Sequence, residues 1–344
     1  MNRVIVVGAG RAGFSHIRSY AVLKEQVSVI GIVDTSDRKT QNVRSFLERH
    51  GVCVQCGLKI EQLSKLIDSE TIIDVCTPTD SHVPLISKAF KNGARRFVVE
   101  KPLAESVKSA SALKNLDISV GIVEQYVYSE MTNKLKALIV NNSSRPLAMI
   151  TDFSKDRVPD SIKGRGFLKN GQAPHAATLE MHHQLAMAEY LNGISERILY
   201  ARFGDMCISK NRRLKEHGVG LVSLYHINNV ISVHYTNLMH NLIVRQVRVF
   251  NSDGSYIVVE YPHYYGCAGY IMLSKNGETG RTERILHEDA LSTTLSSIVG
   301  ALGQNQRPKT DLDFGMRLVQ LINEVAEIAN EKQSAESGCS ARHF

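Results

Sequence analysis

The sequence predicts an α/β protein of two domains, in which a doubly wound parallel sheet comes first and an α+β domain with a large, open and mainly antiparallel sheet follows. Apolar strand segments alternate with amphipathic helical segments over residues 1–125, as in the β-α units of a parallel sheet. From Arg145 onward, long segments rich in Val, Ile and Tyr are interrupted by one helical pattern. A chain of 344 residues is also long enough for two domains.

We place the first domain at residues 1–125 and the second at residues 126–330. Two helical patterns close the second domain, at Leu291–Leu302 and Phe314–Asn330, and these helices are free to pack back on the first domain. Residues 331–344 are rich in Ser and small side chains, so we expect a flexible tail.

Composition and charge exclude several classes of protein. No apolar run approaches the about 18 residues of a membrane span, and the first strand begins too early for a signal peptide. We therefore expect a cytoplasmic protein with no membrane partner. The net charge of +7 comes from basic residues that are spread along the chain without a nucleic-acid recognition motif. We expect no nucleic-acid partner and attribute the positive charge to an anionic cofactor or substrate.

The cysteines are scattered and do not form the pattern of a disulfide framework. Cys53 and Cys56 have the C-x-x-C spacing of half a metal or redox motif, but no second pair or histidine cluster completes it. We interpret both as structural thiols and predict no metal site.

The first strand, Val4–Val7, runs into Gly8-Ala9-Gly10-Arg11-Ala12-Gly13, and a helical pattern follows. This is the G-x-G-x-x-G sequence of a dinucleotide-binding Rossmann unit. Gly8 permits a tight turn, Gly10 permits close approach of a pyrophosphate, and Gly13 permits the helix to pack closely on its strand. The N–H groups at the start of the helix would then hold the phosphates.

A second apolar strand, Val27–Val33, ends at Asp34, about 20 residues beyond the glycines, where such units carry an acidic residue for the adenosine ribose. A carboxylate there repels a 2′-phosphate, so Asp34 favours NAD over NADP. Arg38 and Lys39 lie close enough to weaken this preference. The alternative is that Asp34 only caps the following turn. Other residues suited to that cap are Thr35, Ser36 and Asp37.

Further strands and helices of the first domain are predicted in alternation. The strands are Val52–Cys56, Thr71–Cys76, Arg96–Val99 and Ile118–Val123, and the helices are Thr40–His50, Ile60–Ile67, a helix that ends near Lys91, and Ser106–Asn115. The carboxyl ends of parallel strands meet at one edge of the sheet, so the polar turns after them should share that edge.

The second domain is predicted to combine one helix, Ala176–Leu191, with a sheet. The strands are Ala148–Phe153, Ile198–Phe203, Val219–Ile227, Val230–Leu238, Gln246–Phe250, Tyr256–Tyr261 and Tyr270–Leu273. The segment Asn251–Gly254 has the composition of a hairpin turn. Helices would cover one face of this sheet, and we expect the other face to pair with a second subunit in a homodimer or homotetramer.

Several motifs in the same order resemble the Gfo/Idh/MocA family of NAD(P)-dependent oxidoreductases, named after glucose-fructose oxidoreductase and inositol dehydrogenase. The segments that carry the resemblance are the glycine loop with His16, Thr77-Pro78-Thr79 with His82, Glu100-Lys101-Pro102, Val120–Tyr126, and the ending from Leu295 through Pro308 to the last helix. They correspond to the family's opening, its T-P-x-x-x-H turn, its E-K-P signature, a strand end and the closing segment. The resemblance covers nearly the whole chain and implies the fold predicted above.

The resemblance implies an NAD cofactor, with NADP as the alternative, and it identifies the residues that would bind it. These residues are Gly8, Gly10, Arg11, Ala12, Gly13, Asp34, Thr77, Pro78, Thr79, His82, Glu100, Lys101 and Gln125. Gln125 stands where the family commonly has arginine, and its expected contact is with the nicotinamide end.

Two catalytic residues are implied. Oxidation of a hydroxyl by hydride transfer needs a group that accepts the hydroxyl proton and a donor that favours negative charge on the oxygen. The family's lysine at the position of Lys101 is catalytic. Its base is a histidine on the helix of the second domain, and counting back from the Leu-x-Gly ending at Leu191–Gly193 gives His183, with His182 as the alternative.

The sequence departs from the family at the aspartate that precedes this histidine by four residues, where it has Leu179. Leucine cannot orient an imidazole or relay a proton. Glu180 lies one helical turn from His183 and could take the role, as could His175 or a water molecule.

The loop before the helix carries an excess of basic residues. They are Lys155, Arg157, Lys163, Arg165 and Lys169, against Asp156 and Asp160. In the family this region borders the substrate pocket, so the cations suggest a phosphate, carboxylate or nucleotide on the substrate. The alternative is a solvated basic loop. The candidate substrate residues are Lys101, Tyr126, Arg157, Arg165 and His183.

The leading hypothesis is an NAD(P)-dependent dehydrogenase or reductase that interconverts a secondary hydroxyl and a ketone on a sugar, sugar derivative or cyclitol. Two other functions occur on this fold, because fold alone does not determine function. One is an NAD-binding regulatory protein, and the other is an NAD-assisted glycosidase.

Overall fold

A computed structural model of the chain describes residues 1–141, 144–165, 167, 173–263, 267–275, 278–285 and 289–339. Over these residues the chain divides into two compact units. Unit 1 contains Met1–Tyr128 and Asp289–Gln320, and unit 2 contains Ser129–Glu288 and Leu321–Phe344. The boundaries predicted from the sequence, at residues 125 and 330, stay a prediction.

The strands are short in unit 1 and long in unit 2. They are β1 (Asn2–Val7), β2 (Val27–Val33), β3 (Gln55–Gly57), β4 (Ile72–Val75), β5 (Arg96–Val99), β6 (Ser119–Ile122), β7 (Pro146–Asp156), β8 (Ser195–Ser209), β9 (Arg212–His226), β10 (Ile231–Asn237), β11 (Met239–Asn251), β12 (Tyr256–Glu260), β13 (Gly269–Lys275) and β14 (Glu278–Ile285).

The α-helices are α1 (Arg11–Val22), α2 (Asp37–Glu48), α3 (His82–Lys91), α4 (Val107–Ser111), α5 (Gln125–Tyr128), α6 (Glu130–Asn141), α7 (Val158–Ile162), α8 (His182–Asn192), α9 (Ala290–Gly303) and α10 (Leu312–Cys339). Ile60–Leu66 and Thr79–Ser81 are 3₁₀ turns, and Ala177–Met181 is a π-helical turn. None of the described helices is long and apolar enough to span a membrane.

Unit 1 contains a parallel sheet in the order β3-β2-β1-β4-β5-β6, which confirms the doubly wound sheet predicted for the first domain. Fully buried side chains such as Ile5, Ile73 and Phe97 form its core. Helix α9 lies against the last strand, where a Cβ atom on Gly121 would collide with the side chain of Ile298. Glycine at position 121 therefore permits this close contact.

Unit 2 contains an eight-stranded sheet in the order β14-β13-β12-β11-β7-β10-β9-β8, which is antiparallel except between β7 and β10. The large, mainly antiparallel sheet is thus confirmed. The hairpin between β11 and β12 is also confirmed, with Gly254 at φ 79° in its turn. Strand β14 was not among the predicted strands.

The two faces of the large sheet differ in exposure. Met149, Val222, His234 and Val247 are fully buried on the face that helices cover. On the other face, exposed apolar side chains occur on neighbouring strands. They include Ile150 (40% exposed), Leu221 (37%), Ile231 (41%) and Phe250 (37%). Residues paired directly across strands share a face, and the pairs Val233–Ile150 and Leu221–Tyr235 place these side chains together.

Candidate active site

The glycine loop joins β1 to α1 and has the geometry predicted from its three glycines. Gly8 has φ 101°, and a Cβ atom there would lie 2.7 Å from the carbonyl oxygen of Cys76. A Cβ atom on Gly13 would collide with the carbonyl oxygen of Gly8, whereas at Gly10 nothing lies within 4 Å. The loop is therefore closely packed at Gly8 and Gly13 and open at Gly10, and the open position suits close approach of a pyrophosphate. The candidate residues Arg11 and Ala12 form the first turn of α1, which contains no acidic residue.

Asp34 follows β2 and is tied to the glycine loop. Its Oδ2 atom accepts a hydrogen bond of 2.8 Å from the backbone N–H of Ala9, and its Oδ1 atom accepts one of 2.8 Å from the N–H of Ser36. Asp34 therefore makes the local turn contact considered as its alternative role and a contact with the loop as well. A carboxylate has about four lone-pair sites, so Asp34 retains sites for hydrogen bonds from ribose hydroxyls. The amine of Lys39 lies 3.9 Å from Oδ2.

His82, the last residue of the T-P-x-x-x-H turn, joins this turn to the E-K-P turn. Its Nε2 atom lies 2.8 Å from the carbonyl oxygen of Thr77, and its Nδ1 atom lies 2.9 Å from that of Pro102. The ring is fully buried, and burial lowers the pKa of His82. In the neutral ring one nitrogen donates a hydrogen bond to one of these carbonyls. The geometry makes His82 a structural link between two candidate cofactor segments.

The turn after β5 is held by a charge pair between the buried His16 and the half-buried Glu100. Glu100 Oε1 lies 3.0 Å from Nε2 of His16, and its Oε2 atom accepts a hydrogen bond of 3.1 Å from the backbone N–H of Lys101. Burial raises the pKa of Glu100, but the hydrogen bond and charge of His16 outweigh burial and lower it overall. Glu100 is thus an ionised anchor for the turn that carries Lys101, the candidate hydrogen-bond donor to the substrate.

Three further residues, none of them predicted as part of the site, complete this network. Asp74 Oδ2 lies 2.9 Å from Nδ1 of His16 and accepts a hydrogen bond of 2.9 Å from the hydroxyl of Tyr20. The thiol of Cys76 donates to Oδ1 of Asp74 at 3.4 Å. Burial lowers the pKa of His16, but the charge of Asp74 and further contacts raise it well above its usual value overall. The signal that could have identified this network is the acidic residue inside the apolar segment Ile72–Val75.

Two more candidates follow β6. Gln125 begins α5 and is half-buried, and Tyr126 is 7% exposed. In unit 1, the structure therefore brings the glycine loop, Asp34, the T-P turn and the E-K-P turn to the carboxyl edge of one parallel sheet, where α/β proteins bind nucleotides. Among the described residues, these are the candidates for holding a dinucleotide.

In unit 2, the helix with the candidate base differs from its prediction. The segment predicted as one α-helix from Ala176 begins with a π-helical turn, and α8 starts at His182. His182 and His183 are 1% and 8% exposed. The α-helical spacing that placed Glu180 one turn from His183 does not apply across a π turn. Such turns are frequent at functional sites.

Glu180 is held by two cations. Its Oε1 atom lies 2.5 Å from the amine of Lys155 and 3.7 Å from the guanidinium of Arg157, and its side chain is 9% exposed. The charge of Glu180 is therefore balanced by Lys155, on β7, and by Arg157, which follows β7 directly.

Three of the basic residues of the predicted loop, Lys155, Arg157 and Arg165, are paired within unit 2. Arg165 donates a hydrogen bond of 3.0 Å to Asp160, and Arg157 lies 3.9 Å from the same carboxylate. Lys169 lies outside the described residues. The excess of cations expected from the sequence is thus partly balanced by Asp160 and Glu180, and an anionic group of a substrate would compete with these carboxylates.

Comparison with protein families matches residues 2–124 to the family described as "Oxidoreductase family, NAD-binding Rossmann fold" (GFO_IDH_MocA). The resemblance found in the sequence is thereby confirmed. No curated protein matches the chain by sequence.

Solved structures share the fold over nearly the whole chain at low sequence identity. UDP-N-acetylglucosamine 3-dehydrogenase GnnA from Acidithiobacillus ferrooxidans is 16% identical, with a TM-score of 0.75 and 95% of this chain and 97% of that chain covered. The 3-ketoreductase KijD10 from Actinomadura kijaniata, in complex with NADP and TDP-benzene, is 14% identical, with a TM-score of 0.76 and coverages of 95% and 97%. An oxidoreductase from Agrobacterium radiobacter, in complex with NAD+, L-tartaric acid and magnesium, is 14% identical, with a TM-score of 0.75 and coverages of 96% and 96%.

These structures differ in the cofactor they hold, NADP in one and NAD+ in another, and at this level of identity they show the fold alone. The glycine loop, the carboxyl-edge site and the family match agree with one another. Residues 2–124 thus match the NAD-binding domain of the Gfo/Idh/MocA family of oxidoreductases.

Proposed function

We propose that this protein uses NAD to interconvert a secondary hydroxyl and a ketone on a sugar, a sugar derivative or a cyclitol. The observation that carries the proposal is the anchored turn of Glu100 and Lys101, which stands at the same sheet edge as the glycine loop. The names of GnnA and KijD10 support the substrate class, because one is a dehydrogenase of a nucleotide sugar and the other a ketoreductase crystallised with a TDP derivative.

NAD is the proposed cofactor, and the contacts of Asp34 support this choice. The carboxylate that follows β2 lies within 2.8 Å of the glycine-loop backbone and would oppose a 2′-phosphate. Lys39, at 3.9 Å, partly balances its charge, so use of NADP is the alternative. The residues proposed to hold the cofactor are those of the glycine loop, Asp34, Thr77–Thr79, Glu100, Lys101 and Gln125.

Each catalytic residue has a defined role in the proposal. When bound, the nicotinamide supplies hydride transfer to or from the substrate carbon. The ammonium of Lys101 donates a hydrogen bond to the substrate oxygen and stabilises negative charge there. The imidazole of His183 accepts the hydroxyl proton during oxidation and returns it during reduction. His182 is the alternative base. Glu180 is the less favoured proton carrier, because Lys155 and Arg157 hold it in ion pairs.

Further substrate contacts are proposed for Tyr126, Arg157 and Arg165. The two arginines would favour a phosphate, carboxylate or nucleotide group on the substrate. Asp160 lies close to both and would be displaced from at least one of them by such an anion.

We also propose a homodimer or homotetramer formed through the open face of the large sheet. Exposed apolar residues occur on β7, β9, β10 and β11 of this face. Exposed apolar side chains are unfavourable in water, and association of two copies removes them from solvent.

The direct test is a screen of NAD and NADP with sugars, sugar phosphates, nucleotide sugars and inositols, followed by the absorbance of the reduced nicotinamide. Turnover with any polyol supports the proposal. Binding of NAD without turnover of any compound would instead indicate a regulatory protein. Cleavage of a glycoside with no net change in NADH would indicate an NAD-assisted glycosidase.

A further inference from the structure

Helix α8, which carries the proposed base, is attached near both of its ends to buried side chains of the large sheet. Near its start, Nε2 of Gln184 donates hydrogen bonds of 2.9 Å to Oγ1 of Thr151 and of 2.7 Å to the carbonyl oxygen of Tyr235. After its last residue, the carbonyl oxygen of Gly193 accepts a hydrogen bond of 2.8 Å from Nδ1 of His226. The side chains of Gln184, Thr151 and His226 are fully buried.

Two side chains of β10 connect these attachments into one chain of hydrogen bonds. Oγ1 of Thr151, on β7, lies 2.7 Å from Nδ1 of His234, and Nε2 of His234 lies 2.8 Å from Oγ of Ser232. The same oxygen of Ser232 lies 2.8 Å from Nε2 of His226, at the end of β9. His234 and Ser232 are also fully buried. The chain of hydrogen bonds therefore leads from the first turn of α8 across three neighbouring strands and back to the residue after its end.

The ends of this chain of hydrogen bonds determine the direction of each bond in it. The carbonyl oxygen of Gly193 can only accept, so the hydrogen of the His226 ring is on Nδ1, and its Nε2 atom accepts from the hydroxyl of Ser232. The oxygen of Ser232 in turn accepts from Nε2–H of His234, and Nδ1 of His234 accepts from the hydroxyl of Thr151. Burial lowers the pKa of both histidines, that of His234 to about 3, so both rings are neutral at pH 7, as this arrangement requires.

The arrangement cannot be reversed, and it cannot carry a proton away from α8. At one end, the amide nitrogen of Gln184 donates both to Thr151 and to the carbonyl oxygen of Tyr235, so turning the amide over would place two oxygens against each other. At the other end, the carbonyl oxygen of Gly193 does not take up a proton at neutral pH. These hydrogen bonds therefore hold α8 in place rather than relay protons.

The first of these attachments lies beside the proposed base. Gln184 follows His183 directly, and successive side chains of an α-helix point about 100° apart around its axis. Because the amide of Gln184 is bound to β7 and β10, α8 cannot rotate about its axis without breaking these hydrogen bonds, and the direction of His183 is fixed with it. The π turn Ala177–Met181 precedes α8 directly and has more residues per turn than an α-helix. An α-helical register is thus not carried through from the preceding segment, and the contacts with the sheet fix the rotation of α8.

We propose that Gln184 is a positioning residue for the proposed base: bound to the sheet through Thr151, it fixes the direction of the His183 imidazole. The inference rests on the proposed function and gives Gln184 no contact with substrate or cofactor. Displacement of a catalytic group by about 1 Å can cost about 100-fold in rate. Breaking this chain of hydrogen bonds should therefore lower kcat and leave KM nearly unchanged, because the loss is confined to the transition state.

The test compares two substitutions of Thr151 in the full-length protein. Thr151→Val removes the hydroxyl and keeps the shape of the side chain, whereas Thr151→Ser keeps the hydroxyl and is the matched control. Gln184→Met removes the amide group and keeps the length of the side chain. Steady-state kinetics use NAD and a substrate found by screening, at a temperature at which circular dichroism shows each variant folded. We expect kcat to fall about 10-fold or more in Thr151→Val and Gln184→Met and to stay as in wild type in Thr151→Ser. KM should change little in all three.

Two NMR measurements test the same inference without turnover. Long-range ¹H–¹⁵N spectra of the wild type should show the Nδ1–H tautomer for His226 and the Nε2–H tautomer for His234. The ring signals of His183, assigned with the variant His183→Gln, should move in Thr151→Val and Gln184→Met and stay in place in Thr151→Ser.

The proposal is overturned if either His226 or His234 shows a different tautomer or a charged ring, or if the signals of His183 stay in place in Thr151→Val and Gln184→Met. A lower melting temperature with unchanged kcat would assign these hydrogen bonds to stability alone and would also overturn it. A rise in KM without a fall in kcat, or an equal loss of kcat in Thr151→Ser, would do the same. A wild type that turns over none of the screened compounds would instead count against the proposed function, and the ring signals of His183 would then decide the positioning role by themselves.

Discussion

The carboxylate of Asp74 lies 2.9 Å from Nδ1 of His16, and neither side chain is exposed to solvent. The other nitrogen of the same ring lies 3.0 Å from Glu100, which binds the backbone of Lys101. One buried imidazole thus connects the central strand β4 to the turn that carries the proposed catalytic lysine. A protonated ring donates a hydrogen bond to each of the two carboxylates. This explains why the pKa of His16 is raised although burial by itself would lower it.

The pair of Asp74 and His16 should make stability depend on pH. The folded-state pKa of His16 lies above the value of about 6.5 in an unfolded chain, so its contribution is complete below about pH 6.5 and is lost as the pH rises through the raised pKa. Asp74→Asn should lower the free energy of unfolding by about 3 kcal/mol at pH 6, and this loss should shrink as the pH rises through the raised pKa of His16. Urea unfolding over a series of pH values measures the change, and a loss that stays the same at every pH would contradict a protonated His16.

Replacement of Asp34 should weaken cofactor binding and alter its selectivity. Asp34→Ala removes the acceptor proposed for the ribose and the contact with the N–H of Ala9, so the dissociation constant of NAD should rise about 10-fold or more. That of NADP should rise less, because the repulsion of a 2′-phosphate is also lost. Calorimetric titration with both cofactors measures the effect. Asp37→Ala, which removes an exposed carboxylate at the start of α2, is the matched control.

Lys101→Ala should affect turnover more than binding. Loss of one hydrogen-bond donor to a developing oxyanion costs about 100-fold or more in kcat. The dissociation constant of NAD should change less than kcat, since the backbone of the turn is held through Glu100. Lys108→Ala, on the exposed surface of α4, should behave as wild type in the same steady-state assay. A Lys101→Ala enzyme with unchanged kcat would remove this residue from the catalytic site.

The choice between His183 and His182 can be made from the dependence of kcat on pH. Substitution of a general base commonly costs about 100-fold to 10,000-fold, and it removes the limb of the pH profile that reports the base. We expect both effects in His183→Gln and neither in His182→Gln. The reverse result would assign the base to His182, and a retained limb in both variants would exclude both histidines.

The open face of the large sheet should control the oligomeric state. Ile231, at the start of β10, is 41% exposed on this face, and Ile231→Asp places a charge there. Size-exclusion chromatography with light scattering should find an oligomer for wild type and a smaller species for the variant. Val140→Asp changes an apolar residue of α6 that is 71% exposed, and it should leave the oligomer intact. A monomeric wild type would refute the proposal.

The sequence predicted those parts of the site that depend on local conformation. The glycine loop, Asp34 and the turn at Glu100 each follow an apolar strand, and strand ends of a parallel sheet must share an edge. The network around His16 could not be predicted in the same way, because its partners Asp74 and Glu100 are 58 and 84 residues away in the chain.

Two further features depend on tertiary contacts, which the spacing of apolar residues in the sequence does not reveal. The π turn before His182 has the same apolar pattern as an ordinary helix, so the sequence predicted one continuous α-helix. The left-handed conformation of Glu216 is unusual for a residue with a side chain, and no turn sequence around it indicates one.

The contact of α9 with β6 has a consequence for how the protein is made. The backbone N–H of Ile122 donates to the carbonyl oxygen of Thr310, and Val319 belongs to the buried core around the parallel sheet. When the first 128 residues leave the ribosome, the segments that complete their core have not yet been translated. Apolar side chains of the nascent parallel sheet therefore stay exposed until the intervening unit has been synthesised. A chain truncated before α9 should depend on chaperones and be prone to aggregate.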